Sequence, residues 1–149
     1  MRPDFPGTGK GQYRFSDKSP LFPFGYGLSY TTFKYSEAKL KNKNIKPDGN
    51  TTVSVEISNT GSRDGDEIVQ MYVHDDYASV GRYNKMLKGF KRISLKTGET
   101  KTVSFELNPS NLFLYDKYLN KVVEPGTFTI SVGSSSKKTD LKNVTLTVL

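Results

Sequence analysis

Apolar and polar residues alternate along several segments of the chain. Val53, Val55 and Ile57 alternate with the polar residues between Thr52 and Ser58, which is the period expected of a strand with one buried face. The same pattern recurs in residues 103–107, 128–132 and 144–148, and residues 68–73 form a fuller apolar run that predicts a central strand. No segment shows the helical period of about 3.6 residues.

Turn-forming residues separate these segments. Pairs of residues that favour turns occur at six places between the predicted strands. They are Asp48-Gly49, Asn59-Thr60-Gly61, Asp64-Gly65, Thr97-Gly98, Asn108-Pro109 and Pro125-Gly126. Short strands separated by turns over about 120 residues predict an all-β, immunoglobulin-like antiparallel β-sandwich of about seven or eight strands. A β-barrel is the alternative.

Residues 1–30 differ from the rest of the chain because they combine glycine and proline with large apolar side chains. The prolines exclude a long helix or a central strand there, yet a solvated linker would not expose so many rings. We therefore predict two units, an extended segment over residues 1–30 that docks on a neighbouring domain and a sandwich over residues 31–149. The large apolar residues of the segment are Phe5, Tyr13, Phe15, Leu21, Phe22, Phe24, Tyr26, Leu28 and Tyr30.

A second candidate contact region is the loop over residues 75–85. It is longer than a hairpin needs and carries Tyr77, Val80, Arg82 and Tyr83, residue types that are common at interfaces or that add apolar area. We interpret it as a docking loop, with a flexible hairpin tip as the alternative.

The charge of the chain favours anionic partners in general but no particular one. It contains 22 Lys and Arg against 15 Asp and Glu, a net charge of +7 in 149 residues. The lysines at positions 39–46 and 137–142 lie in polar, turn-rich stretches where lysine usually serves solvation. No arginine-rich patch interleaved with aromatic residues occurs, so we predict no nucleic-acid partner. No apolar run is long enough to span a bilayer, and no secretory signal peptide follows Met1.

Composition also removes much of the usual catalytic chemistry. The chain has no cysteine and one histidine, which excludes thiol nucleophiles and multi-histidine or cysteine metal sites. His74, Asp75 and Asp76 are adjacent, but alternation places Asp75 on the opposite face, which favours an ordinary solvated strand end. The acidic residues over positions 63–67 lack the spacing of a calcium loop. We expect no catalytic residue, no cofactor and no metal.

One long segment is specific to a known family. Residues 20–33 read PLFPFGYGLSYTTF, which resembles the entry to the C-terminal fibronectin type III-like domain of glycoside hydrolase family 3 enzymes. The resemblance continues in the same order over residues 53–75, 86–107 and 122–136 and covers nearly the whole chain. It implies a fibronectin type III-like sandwich in a β-glucosidase or β-xylosidase.

The resemblance carries over no catalytic residue. In that family the nucleophile is an aspartate in a (β/α)8 barrel, within a Ser-Asp-Trp motif, and the acid/base lies on a further α/β domain; this sequence contains neither domain. Its only Ser-Asp pair is Ser16-Asp17, followed by Lys18, and it has no tryptophan. The resemblance therefore implies a non-catalytic accessory domain that stabilises and orients the catalytic domains of the same parent chain, in a periplasmic or secreted enzyme. A carbohydrate-binding module that uses some of the nine tyrosines to target polysaccharide is the alternative.

The residues expected to contact the catalytic domains lie in the two candidate regions. The sequence departs from the family where Tyr83 follows Arg82, a position that is often proline, and where Lys121 stands at a frequently aromatic position. The candidate docking residues are Phe22, Phe24, Tyr26, Leu28, Tyr77, Arg82 and Tyr83.

Overall fold

The computed structural model describes residues 20–81 and 83–149, which form eleven strands, one short α-helix and one 3-10 turn. In chain order these are β1 (Phe33–Tyr35), β2 (Lys39–Leu40), β3 (Asn44–Ile45), β4 (Thr51–Asn59), β5 (Gly65–Asp75), β6 (Met86–Leu95), β7 (Thr100–Leu107), α1 (Pro109–Leu112), β8 (Leu114–Tyr115), β9 (Lys121–Val122), β10 (Gly126–Gly133), the 3-10 turn Lys138–Asp140 and β11 (Leu141–Val148).

The strands form two sheets and a separate hairpin. In the first sheet β4 pairs with β1 and β2 and, over its whole length, with β7, always antiparallel. The second sheet has the order β3-β11-β10-β5-β6, antiparallel except where β3 pairs with β11. The hairpin consists of β8 and β9. The predicted β-sandwich is confirmed.

The core lies between the two sheets and follows the alternation of the sequence. In β4 the side chains of Val53, Val55 and Ile57 are buried against the second sheet. The other sequence-predicted strands contribute in the same way, so each of them is confirmed. Their core residues are Val69, Met71, Val73, Val103, Phe105, Leu107, Phe128, Ile130, Val132, Leu146 and Val148.

Three local features differ from the sequence prediction. Strand β6 was not among the strands predicted from alternation, because it lies at a sheet edge where Leu95 alone is fully buried. The turn expected at Asn108-Pro109 is a one-turn helix, in which the Asn108 side chain accepts from the backbone N–H of Ser110 at the N-terminus. Gly65 begins β5 instead of forming a turn tip.

Residues 20–30 form no strand, and hydrogen bonds shape this segment and fix its end where the sandwich begins. The N–H of Tyr26 donates to the carbonyl of Pro23 at 3.1 Å, closing a tight turn. At the far end, the hydroxyl of Thr31 donates to Oδ1 of the buried Asn59 at 2.7 Å. Residues 1–19 and Arg82 lie outside the described residues, and the boundary at residue 30 stays a prediction.

Candidate docking face

A buried glutamine attaches the N-terminal segment to the sandwich. Gln70 lies on β5 between the inward-facing Val69 and Met71, so its side chain points to the outer face of the second sheet. Its Nε2 donates to the carbonyls of Gly25 at 3.0 Å and Ser134 at 2.6 Å. Its Oε1 accepts from the hydroxyl of Tyr72. Gln70 is only 4% exposed, and these bonds satisfy the amide.

The segment can approach Gln70 this closely only because residue 25 is glycine. Gly25 has φ +76°, and a Cβ at this position would lie 2.0 Å from Oε1 of Gln70. Both the backbone conformation and the available space therefore require glycine.

Aromatic side chains on this attached segment face solvent. Phe22 and Phe24 are 69% and 66% exposed, and Tyr26 is also exposed. The rings of Phe22 and Tyr26 lie 5.8 Å apart. Such a cluster on a fixed backbone is typical of a contact surface.

Strand β6 extends the exposed apolar area on the same side of the sheet. Phe90 pairs with Gln70, and Leu87 pairs with Tyr72, so both point to the outer face. Both are exposed. We call the surface formed by Phe22, Phe24, Tyr26, Leu87 and Phe90 the docking face.

The end of the loop over residues 75–85 reaches the same region. The N–H of Ser136 donates to the carbonyl of Phe24 at 2.9 Å, and Nζ of Lys85 donates to the carbonyl of Ser136 at 3.0 Å. Ser136 therefore joins the aromatic segment to the part of the loop that follows the exposed Tyr83.

Two further candidate docking residues, Tyr77 and Leu28, are not drawn into this cluster, and Arg82 lies outside the described residues. Tyr77 is exposed in the first half of the loop, where the N–H of Ser79 donates to Oε2 of Glu124 at 3.0 Å. Leu28 is exposed and lines a cleft beside the segment. Sequence reasoning missed Gln70, Leu87 and Phe90. The available signal was a single amide side chain inside an otherwise apolar run.

The cleft beside the segment has a volume of about 760 Å³ and includes Tyr35, Glu67 and Asp140 in its lining. Burial raises the pKa of the Tyr35 hydroxyl, and the negative charges of Glu67 and Asp140 raise it further. Burial also raises the pKa of Glu67, although its Oε1 accepts from the N–H of Ile68 at 2.8 Å. The hydroxyl of Ser135 donates to Oδ2 of Asp140 at 2.7 Å. This hydrogen bond gives the Asp140 carboxylate a structural role in the turn that precedes β11.

The candidate catalytic and metal residues have structural partners. Nε2 of His74 lies 3.9 Å from Oδ1 of Asp76, which also accepts from the hydroxyl of Thr129 at 2.9 Å. Asp75 is buried on the opposite face, so this strand end is less solvated than the sequence predicted. Across residues 20–81 and 83–149, no three His, Cys, Asp or Glu side chains are placed to hold a metal ion.

The acidic run at the start of β5 does not converge on one point. Oδ1 of Asp64 accepts from the N–H of Thr97 at 2.8 Å, and Asp66 forms an ion pair with Arg92. Ser16 and Asp17 lie outside the described residues.

None of the helices in the described part of the chain is long and apolar enough to cross a membrane.

Comparison with known proteins identifies the sandwich. A family model for the fibronectin type III-like domain matches residues 67–136. The matched residues, 70 of the 149 in the chain, run from β5 to just past β10 of the sandwich. The whole chain is 72% identical over 99% of its length to a β-xylosidase of Formosa agariphila, of which it covers 20%. It is 43% identical over 91% of its length to a periplasmic β-glucosidase of Salmonella typhimurium, covering 18% of that protein.

A solved structure shows the same fold. A β-glucosidase from Listeria innocua in complex with glucose matches with a TM-score of 0.84 and 37% identity, over 91% of this chain and 18% of that one. The domain thus spans about a fifth of the length of the relatives it matches. These matches confirm the resemblance to the fibronectin type III-like domain of family 3 glycoside hydrolases, and they show that such relatives carry further parts in the same chain.

Proposed function

We propose that this domain is a non-catalytic accessory domain of a family 3 β-xylosidase or β-glucosidase, in which it stabilises and orients the catalytic domains. The observation that carries the proposal is the attachment of the aromatic segment by Gln70 and Gly25, which leaves Phe22, Phe24 and Tyr26 exposed. A buried polar anchor that presents rings to solvent supports a contact with another part of the parent protein.

The chemistry of the described residues supports an accessory role. The acidic side chains that the sequence suggested as candidates are engaged in turns, an ion pair and a strand end. The parent's catalytic barrel and α/β domain would supply the nucleophile and the acid/base. One relative is named a periplasmic β-glucosidase, which supports a periplasmic or secreted location for the parent.

The docking face is tested in the whole protein with Phe22→Ala combined with Tyr26→Ala. Burial of such a ring against another domain contributes about 1.5–3 kcal/mol, so we expect the Tm of the whole protein to fall by several degrees. The Tm of the 149-residue chain should hardly change, because both rings are exposed there. Differential scanning calorimetry measures both values.

The matched control removes two rings elsewhere, Tyr115→Ala combined with Tyr118→Ala, which are also exposed and should leave the Tm of the whole protein unchanged. Hydrolysis of aryl β-xylosides and β-glucosides, measured well below the Tm, should retain its kcat in both variants. An unchanged Tm in the Phe22→Ala/Tyr26→Ala protein would contradict the docking role.

A further inference from the structure

The β8–β9 hairpin presents a second aromatic surface that belongs to neither sheet. Tyr115, Tyr118 and Leu119 are 57%, 71% and 81% exposed. Phe113 and Tyr115 flank the buried Leu114 and so share one face, with their rings edge to face at 5.5 Å. We call these residues, together with Lys88, Lys117 and Lys121, the hairpin surface.

The turn of this hairpin is rigidly held. Oδ1 of Asp116 accepts from the N–H groups of Tyr118 at 2.8 Å and Asn120 at 2.9 Å. These hydrogen bonds, led by the one from Asn120, hold the pKa of the Asp116 carboxyl below its usual range. Leu119 at the tip has φ +66°, a conformation that costs a leucine about 1 kcal/mol or more. A strained apolar residue held in solvent does not stabilise the fold, which indicates a role in contact.

Lysine side chains surround the rings of the hairpin surface. Nζ of Lys121 lies 4.1 Å and Nζ of Lys88 5.4 Å from the centroid of Phe113, and Nζ of Lys117 lies 4.9 Å from that of Tyr118. Within residues 20–81 and 83–149, neither Lys117 nor Lys121 forms an ion pair. The surface therefore combines flat apolar faces with available positive charge.

We propose that the hairpin surface binds an anionic polysaccharide. The C–H faces of pyranose rings pack on aromatic rings, while carboxylate or sulfate groups on the sugars pair with the lysine ammonium groups. The net charge of +7 raises the local concentration of such a polymer. The choice of a polysaccharide rests on the proposed function in a glycosidase.

The size of the surface favours a polysaccharide over a protein. An aromatic side chain buries about 150–250 Å², so the exposed apolar part of the hairpin surface, Tyr115, Tyr118 and Leu119, covers less than the ~800 Å² per partner of a stable protein interface. A polysaccharide needs only a few stacked rings and neighbouring charges.

The test is isothermal titration calorimetry of the 149-residue chain at about 0.15 M salt, where free charges are screened beyond about 8 Å. The ligands are an oligogalacturonate, which carries carboxylates, a carrageenan oligosaccharide, which carries sulfates, and neutral xylohexaose. We expect one anionic ligand to bind at least tenfold more tightly than xylohexaose, and the better of the two identifies the acidic group.

Two variants and a matched control locate the site. Lys117→Glu combined with Lys121→Glu should weaken binding at least tenfold, and so should Tyr115→Ala combined with Tyr118→Ala. Lys41→Glu combined with Lys43→Glu changes the net charge equally at exposed positions outside the hairpin and should retain most of the affinity. Circular dichroism checks that each variant is folded.

Several results would overturn the proposal. If the Lys41→Glu/Lys43→Glu control weakens oligosaccharide binding as much as Lys117→Glu/Lys121→Glu does, the binding is general charge attraction. Unchanged affinity in the Tyr115→Ala/Tyr118→Ala variant would show that the rings do not contact the ligand. Binding of phosphatidylglycerol vesicles with the same variant dependence, in the absence of oligosaccharide binding, would assign the surface to a membrane. Loss of oligosaccharide binding leaves the Tm test of the docking face unaffected, so the two proposals fail separately.

Discussion

The side-chain amide of Gln70 donates a hydrogen bond to the backbone carbonyl of Gly25, 45 residues earlier in the chain. This bond fixes an extended segment on the outer face of a sheet without any strand pairing. An isolated hydrogen bond contributes about 0.5–1.5 kcal/mol, but here the amide is buried and also holds the Ser134 carbonyl. Releasing the segment would leave buried polar groups without partners.

Gly25→Ala should therefore detach the segment. The new Cβ would overlap Oε1 of Gln70 in a backbone conformation that alanine disfavours. Gly27→Ala is the control, because a Cβ there meets no atom within 4 Å. We expect chymotrypsin to cleave the Gly25→Ala chain much faster after Phe24 and Tyr26, with Gly27→Ala close to the unmodified chain. Equal cleavage rates for the two variants would show that the contact does not hold the segment.

Glu67→Gln should stabilise the domain at neutral pH. The pKa of Glu67 is raised in the folded state, chiefly by burial, so the unfolded chain loses this proton first as pH rises. The free energy of unfolding therefore falls as the pH rises from the ordinary to the raised pKa of this carboxyl, and it stays lower at higher pH. Removing the charge should raise the Tm at pH 7, and the gain should vanish below about pH 4. Thermal unfolding across this range measures the difference.

The control for Glu67 is Glu106→Gln, which changes an exposed glutamate of β7. We expect a smaller effect on the Tm there. A Tm gain that is equal for both variants, or that persists at low pH, would mean that net charge and not burial is responsible.

Lysines protect one free edge of each sheet. β6 pairs only with β5, and β7 only with β4. Nζ of Lys91 on β6 donates to the carbonyl of Ser104 at 2.6 Å, and Nζ of Lys101 on β7 donates to that of Ser94 at 2.7 Å. Charged side chains at such positions prevent pairing with another chain.

Lys91→Thr combined with Lys101→Thr should therefore promote self-association. Threonine favours strands, so the exposed edges remain while their protection is lost. Light scattering during size-exclusion chromatography at high protein concentration should reveal dimers and larger species. Lys96→Thr combined with Lys137→Thr removes the same charge outside the strands and should remain monomeric. Association of both variants would attribute the effect to net charge alone.

The sandwich could be predicted from the sequence because its core strands are buried on one face, which imposes the period of two. β6 was less visible, since an edge strand with Leu95 as its single fully buried residue carries no such pattern. A docking role for the rings of the N-terminal segment was predicted from their unusual mixture with glycine and proline, and it stays a prediction. Their attachment was not predicted, because the partners Gln70 and Gly25 are distant in sequence and neither belongs to a recognisable motif.

The strained tip of the hairpin separates stability from contact. Leu119 has φ +66° and is exposed, so Leu119→Asn should relieve strain without losing buried area, because asparagine tolerates this conformation. We expect a gain of about 1 kcal/mol, or about 2–4 °C in Tm for a chain of this size. Leu119→Ala retains the strained conformation and should give no gain. If leucine is kept for contact, Leu119→Asn should also weaken binding of the anionic oligosaccharide, giving a more stable but poorer binder. A variant that gains stability at full affinity would show that the leucine makes no contact with the ligand.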